Sequence, residues 1–354
     1  MRRLKHLPFE QWPLADRQAW EAAFVEGDIF DETQGPGAHL SPGSCRTILF
    51  AYRRWLGFLA AHHPDTLRQP SGGRIVPEVL RDYVGVLQAE GAATTTAIAV
   101  HGLYLAARLV APQEDWTWLR ELRSALAARA QPGDRFERLV PPWQVLDLGL
   151  NMMEQTLSAA EWTSDALRQY RDGLLLALLA LWPIRRRSLA ALTVGRHVEH
   201  HGDHIRLRLY PADTKAGRAE DYVPHEVLAP YLDRYLQEVR QHFPGALGHD
   251  GFWASARGRP LSAQRLYVIV RRRTDEAFGK AMGLHDMRRA AATFLAVEAP
   301  EQVGLIPGVL QQASPEVGER HYNLARSTAA SRRFAGHVTA IRKRLGPARH
   351  KPGG

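Results

Sequence analysis

The sequence predicts a mainly α-helical chain with one small antiparallel β-sheet, divided into two domains. Three observations carry this. Apolar residues recur with a 3.6-residue period through most of the 354 residues, the mark of helices that bury one face. Only one region alternates in the manner of strands: His197 to His200, Ile205 to Tyr210 and then Asp221 to Pro224. The polar, turn-forming Gln131-Pro132-Gly133-Asp134 interrupts the pattern, and a chain of this length suits two domains better than one.

Taken in order, residues 1 to 40 read as an N-terminal extension, with Trp12, Trp20 and Phe24 spaced for one amphipathic helix before the break at Gly35-Pro36-Gly37. A domain over 41–131 follows. From Thr47 to His62, Ile48, Tyr52, Trp55, Leu56 and Leu59 form an apolar stripe, while Arg46, Arg53 and Arg54 fall mostly elsewhere. Pro77 opens a second helix carrying Leu80, Tyr83, Val84 and Leu87, and Gly91 ends it. A third runs from Thr94–Thr96 to about Val110 and a fourth from about Glu114 to Ala130. Four helices with short connections make a small bundle.

The second domain spans 136–345. Pro141-Pro142-Trp143 starts a helix, and a long apolar helix from Ser164 to Trp182 ends at Pro183. The three strands come next, with the turn His201-Gly202-Asp203 between the first two and Asp213-Thr214-Lys215-Ala216-Gly217-Arg218 between the second and third. Helix resumes to about Leu345, and residues 346–354 read as a disordered basic tail.

Composition narrows the class. Hydrophobic residues make up 45% and charged ones 23%, enough for a sizeable core. The single cysteine, Cys45, excludes an internal disulfide and a multi-cysteine metal knuckle and suits a reducing, cytoplasmic compartment. The longest apolar run, Gly173 to Ile184, is shorter than the ~20 residues a bilayer requires and ends against three arginines, so neither a membrane span nor a signal peptide is expected. Histidines 197, 200, 201 and 204 fall on alternating faces of a hairpin with no evident acidic partner, so no metal site is expected there.

The net charge of +9 is unevenly placed. Residues 320–354 carry nine Lys/Arg and no acid, leaving the other 319 residues with 37 bases against 37 acids. Arg257 to Arg273 holds six arginines and no acid. Two acid-free basic stretches point to a polyanionic partner, of which nucleic acid is the usual one, with solvated basic helices as the alternative. Between them lies Leu284-His285-Asp286-Met287-Arg288-Arg289. His285 and Arg288 stand three residues apart, so on a helix they leave the same face and can meet one phosphate, although such a pair also arises on solvated helices.

Four pieces then follow in order: Arg185 after a buried helix, Lys215 in a hairpin turn, His285-x-x-Arg288, and Tyr322. This set resembles the tyrosine recombinase, or phage-integrase, family. Arg185-Arg186-Arg187-Ser188-Leu189-Ala190-Ala191-Leu192 is similar to its Arg-x-x-Glu-Leu-x-x-Leu box. Thr214-Lys215 with Tyr222-Val223-Pro224 is similar to its lysine turn, Leu284 to Arg288 to its second box, and Glu319-Arg320-His321-Tyr322 to its nucleophile segment. The resemblance covers about Thr47 to Leu345. It implies a helical core DNA-binding domain and a catalytic domain gripping a duplex in a C shape.

The residue types fit that chemistry. A phenol such as Tyr322 can store a phosphodiester bond covalently, and two guanidiniums, Arg185 and Arg288, suit the charge on the non-bridging oxygens. Lys215 suits protonation of the leaving 5′-oxygen, and His285 suits taking the tyrosine proton or orienting the phosphate. The covalent bond conserves energy, so no cofactor, ATP or metal is expected. Two places depart from the family. Leu310-Gln311-Gln312 stands where it has Leu-Gly-His, with histidine or tryptophan as the sixth catalytic residue; Gln312 can donate a hydrogen bond but carries no charge. Ser188 replaces a frequent glutamate. Tyr267 is the rival phenol, with neighbours Leu266, Val268 and Ile269 that make it read as packed.

The DNA contacts expected are Arg53, Arg54 and Thr95 in the first domain and Arg265, Arg271, Arg272 and Arg273 on a helix from Ser262 to Arg273 that enters a groove. Phe334, Val338, Ile341 and Leu345 form a stripe that docks either on its own domain or on a neighbouring protomer. The family-like expectation is a monomer or weak dimer when free and a tetramer on DNA assembled through this C-terminal helix. The function expected is site-specific recombination or integration through a 3′-phosphotyrosyl intermediate. The alternatives are a non-catalytic or partner-dependent DNA-binding protein and a type IB topoisomerase-like relaxing enzyme.

Overall fold

The computed structural model describes residues 4–27, 34–130, 137–201, 204–214, 217–305, 310 and 320–345. It is mainly helical with a small three-stranded antiparallel sheet. The chain divides into two compact units, Met1–Gly133 and Asp134–Gly354, each with its own hydrophobic core.

The first unit contains α1 (Leu14–Ala22), α2 (Pro42–His62), α3 (Pro77–Glu90), α4 (Ala93–Val110) and α5 (Thr117–Arg129). Helix α2 begins five residues before the expected start at Thr47, because Ser41 caps it by accepting the N–H of Ser44 at 3.3 Å and Pro42 takes the first position. Its stripe of Tyr52, Trp55, Leu56 and Leu59 is buried against Tyr83 of α3 and Leu103 of α4. By length and composition α4 is the one described helix that could cross a membrane, and 61% of it is buried inside this unit.

The described residues among the first forty pack into the first unit, in place of the N-terminal extension expected from the sequence. Trp12 and Trp20 belong to the same core as Tyr52 and Trp55. The three aromatics do not share one helix: α1 starts at Leu14 after Pro13 and ends at Ala22, so Trp12 precedes it, Trp20 lies within it and Phe24 follows its end. The rings pack nonetheless, Trp12 on Trp20 at 5.7 Å and Trp20 on Phe24 at 5.1 Å between centroids. Asp16 of α1 is fully buried and accepts from Arg74 Nη1 at 2.8 and 2.9 Å and from the Tyr52 hydroxyl. Burial, and then the Asp16 carboxylate, push the Tyr52 phenol well above its usual value. The segment before α1 also lies on α2. Leu7 N–H donates to Arg53 O at 3.0 Å, and a Cβ on Gly57 would fall 1.8 Å from Lys5 O.

The second unit is built on α6 (Pro142–Leu157) and α7 (Ser164–Leu181). They cross closely enough that a Cβ on Gly149 would fall 2.5 Å from Gly173 O. From Leu174 to Leu181 α7 is buried on every side, which is why its sequence is apolar without periodicity. Thr163 caps its start. Trp182 and Pro183 end it, and the chain re-enters helix as α8 (Arg186–Ala190), with Arg185 at the N-cap position.

The sheet runs β1 (Val198–His201), β2 (His204–Leu209) and β3 (Glu220–Tyr222), all antiparallel, with Val198 opposite Leu207 and Leu207 opposite Tyr222. The third strand begins one residue earlier than its sequence pattern implies. Helix α9 (Ala229–Arg234) continues through a π turn over Tyr235–Val239, and α10 (Ala263–Phe278) starts on a Ser262 cap. Helices α11 (Leu284–Glu298) and α12 (Arg320–Leu345) complete the unit.

The stripe on α12 resolves one expectation. Phe334, Val338 and Ile341 are buried in the core of their own unit, and α12 packs on β3, α6 and α7. Of the two docking expectations, this is the one on its own domain, and it removes these three side chains from water within the unit. The tail 346–354, the linker 131–136 and the Leu345 side chain lie outside the described residues.

Candidate functional site

The end of α7 fixes the first arginine. Pro183 stops the helix, its carbonyl is left without an intrahelical donor, and Arg288 Nη1 from α11 donates to it. Arg288 Nη2 donates to Leu310 O. Two backbone carbonyls thus hold the plane of a guanidinium that is itself buried, leaving its remaining N–H groups for other acceptors. Burial first, then Arg185, pull the Arg288 pKa down to about 10, with Glu220 acting the other way. It stays cationic at neutral pH.

Arg185 lies two residues past that carbonyl, half-buried, with its guanidinium 3.8 Å from the Glu220 carboxylate of β3. Tyr222, on the same face of β3 as Glu220, stacks on Trp182 at 4.9 Å and an interplanar angle of 11°. That stack ties the strand to the end of α7. Asp221 points the other way and pairs with Arg206 at 2.6 Å and Arg208 at 3.7 Å on β2. Residues 185, 220 and 288, from three separate elements, form one charged cluster.

His285 is exposed on the first turn of α11, one helical turn before Arg288. Asp286, the acid between them, is spent locally: its carboxylate accepts from Gly283 N–H at 2.8 Å and caps the helix. Lys215 and Gln312 lie outside the described residues, and Tyr322 falls on the first turn of α12 with its side chain likewise outside them. The structure therefore gives neighbours to Arg185 and Arg288 and an exposed position to His285.

The flanks of the lysine turn are well anchored. Thr214 Oγ1 donates to Arg218 O at 2.8 Å and accepts Arg218 N–H at 3.0 Å. Ser188 of α8 donates to Asp213 O at 3.0 Å and so links Arg185's helix to the base of this turn. Buried His197 accepts from Thr193 N–H through Nδ1 at 3.1 Å, which leaves its Nε2–H to donate to Asp213 at 3.0 Å. His197 is thus a buried link between Thr193 and Asp213, and His200 meets Gln237 at 3.1 Å and the Asp233 carboxylate at 3.8 Å. The side chains of His201 and His204 lie outside the described set.

Burial raises the Asp213 pKa, but His197 and Arg196 outweigh it and hold the carboxyl below its usual range. The stability this contributes is present above the ordinary carboxylate pKa of about 4 and is lost as the pH falls through the folded value. Asp213→Asn is expected to shallow the acid limb of a melting-temperature profile taken between about pH 3 and 6; an unchanged acid limb would contradict the link.

The expected DNA contacts divide. Arg54 is paired with Glu90 at 2.9 Å, partly buried, and so ties α2 to the end of α3, while Arg53 Nε donates to Leu7 O at 3.2 Å and holds the N-terminal segment. Arg273 binds the fully buried Asp172 at 3.0 Å, and Arg272 approaches the same oxygen at 3.5 Å. A buried carboxylate needs its cations, so Arg273 is structural and Arg272 partly so. Thr95, Arg265 and Arg271 remain exposed.

Tyr267 is less packed than its neighbours implied, because Val268 is 40% exposed and the Tyr267 ring is half-buried. Arg186 lies 6.0 Å and Arg271 5.7 Å from its centroid, and Arg271 donates to its hydroxyl at 3.2 Å. Sequence reasoning missed Glu220 and His197–Asp213 altogether. The only signal for Glu220 was an acid inside a short strand. Searches against family models, curated proteins and solved structures find no match to this chain.

Proposed function

We propose that this chain is a site-specific DNA recombinase of the tyrosine type, with the first unit as its helical core DNA-binding domain and the second as its catalytic domain. The observation that supports this reading best is the pairing of two guanidiniums, Arg185 and Arg288, from positions far apart in the chain, beside an exposed imidazole at His285. Two fixed guanidiniums held near one another suit a phosphate. In the reaction, the Tyr322 oxygen bonds to phosphorus as the bond to the 5′-oxygen breaks. Lys215 gives the departing oxygen its proton, and His285 receives or relays the phenol's proton. The reverse attack by a 5′-hydroxyl rejoins a strand.

A nicked suicide substrate that traps the 3′-phosphotyrosyl adduct tests this. The full chain is expected to form an adduct stable to denaturation, and Tyr322→Phe to form none while still retarding DNA. Retarded DNA that never becomes covalent would instead favour a binding protein on the same scaffold, the reading to which Gln312 at the sixth position lends weight. Four-way junctions in the products separate recombination from simple relaxation.

A further inference from the structure

We infer that Glu220 is a positioning residue of the two-arginine site. Arg185 and Arg288 are close enough for the first to depress the pKa of the second, and two cations drawn together before any anion arrives repel each other. The counter-charge comes from β3. Glu220 is 4% exposed, faces the same side as the Tyr222–Trp182 stack, stands 3.8 Å from Arg185, and raises the pKa of Arg288. Ser188, which sits on Arg185's own helix, is neutral, and its hydroxyl is occupied with Asp213 O. The acid that orients these guanidiniums is therefore supplied across the fold and not from the helix that carries Arg185.

A distance of 3.8 Å is an ion pair without a hydrogen bond. At this distance the Glu220 carboxylate offsets the mutual repulsion of the two guanidiniums. Its charge also lowers the net positive potential, so the site gives up ground-state anion affinity for orientation that counts in the transition state.

The inference rests on the strand-transfer reading for its kinetic arm and stands without it for its binding arm. In Glu220→Gln the adduct rate on the suicide substrate is expected to fall about 10–100-fold, the range typical of groups that orient a functional side chain. Affinity for inorganic phosphate, measured by calorimetry, is expected to rise roughly threefold or more, because a negative charge has left the site. Opposite movement of the two is what a merely structural role would not produce.

Unchanged rate and affinity, or a fall in both that tracks a fall in melting temperature, would overturn the inference. If the wild-type chain forms no adduct, the strand-transfer reading fails and phosphate affinity alone decides: a rise in Glu220→Gln upholds the positioning role, and no rise overturns it. If Glu220→Gln does not fold, Glu220→Asp takes its place. It keeps the charge but withdraws it by one methylene, so phosphate affinity should hold while the adduct rate falls severalfold; a wild-type rate would overturn the inference.

Discussion

Arg288→Lys should lower the rate of covalent adduct formation about 10²–10³-fold, the cost of losing a fixed donor at a developing oxyanion, while DNA retention changes little. The reason is geometric. Arg288 reaches the carbonyls of Pro183 and Leu310 with its two terminal nitrogens, and that double attachment fixes where its other N–H groups point. Lysine keeps the charge but carries it on a single nitrogen and cannot span both carbonyls. The measurement is the single-turnover rate on the suicide substrate, with melting temperature as the control. A lysine variant that reacts at the wild-type rate would show that Arg288 is a packing residue joining the end of α7 to the segment at Leu310.

The second large effect concerns stability. Asp16→Ala should cost the chain about 3–5 kcal/mol, because removing one partner of a buried ion pair leaves the other charge uncompensated. Arg74 and Asp16 are each fully buried, and the Tyr52 hydroxyl loses its acceptor at the same time. Urea unfolding measures the loss. Asp16→Leu combined with Arg74→Met should recover most of it, since an apolar pair of similar volume carries no desolvation cost. A single-variant loss below about 1 kcal/mol would mean that Arg74 finds water or the Gln69 carbonyl sufficient.

These two sites differ in how far they could be read in advance. His285 and Arg288 were singled out by spacing and charge, and Arg185 by its place in the ordered set of motifs that resembles the tyrosine recombinase family. Asp16 and Arg74 were invisible, because nothing local distinguishes an acid on a short amphipathic helix from a solvated one. The same holds for Arg54, Arg272 and Arg273. As sequence they belong to basic, exposed surfaces; in the fold, Glu90 and Asp172 claim them wholly or in part. An arginine's role is set by whether a carboxylate from another element reaches it, and that depends on packing.

What the sequence alone determined was the set of elements. Apolar period and the prolines at 77, 142 and 183 placed the starts of α3 and α6 and the stop of α7 to within a residue or two, while the start of α2, set by Ser41 and Pro42, was placed five residues late at Thr47. Alternation located the sheet, because these are effects of neighbours along the chain. What only the tertiary structure decided was which charges meet. Trp12 and Trp20 joined a core assigned to other residues, the α12 stripe packed on its own unit, and Glu220 came to stand by Arg185 from thirty-five positions away. Burial and ion pairing act through space between residues distant in sequence, so no local pattern records them.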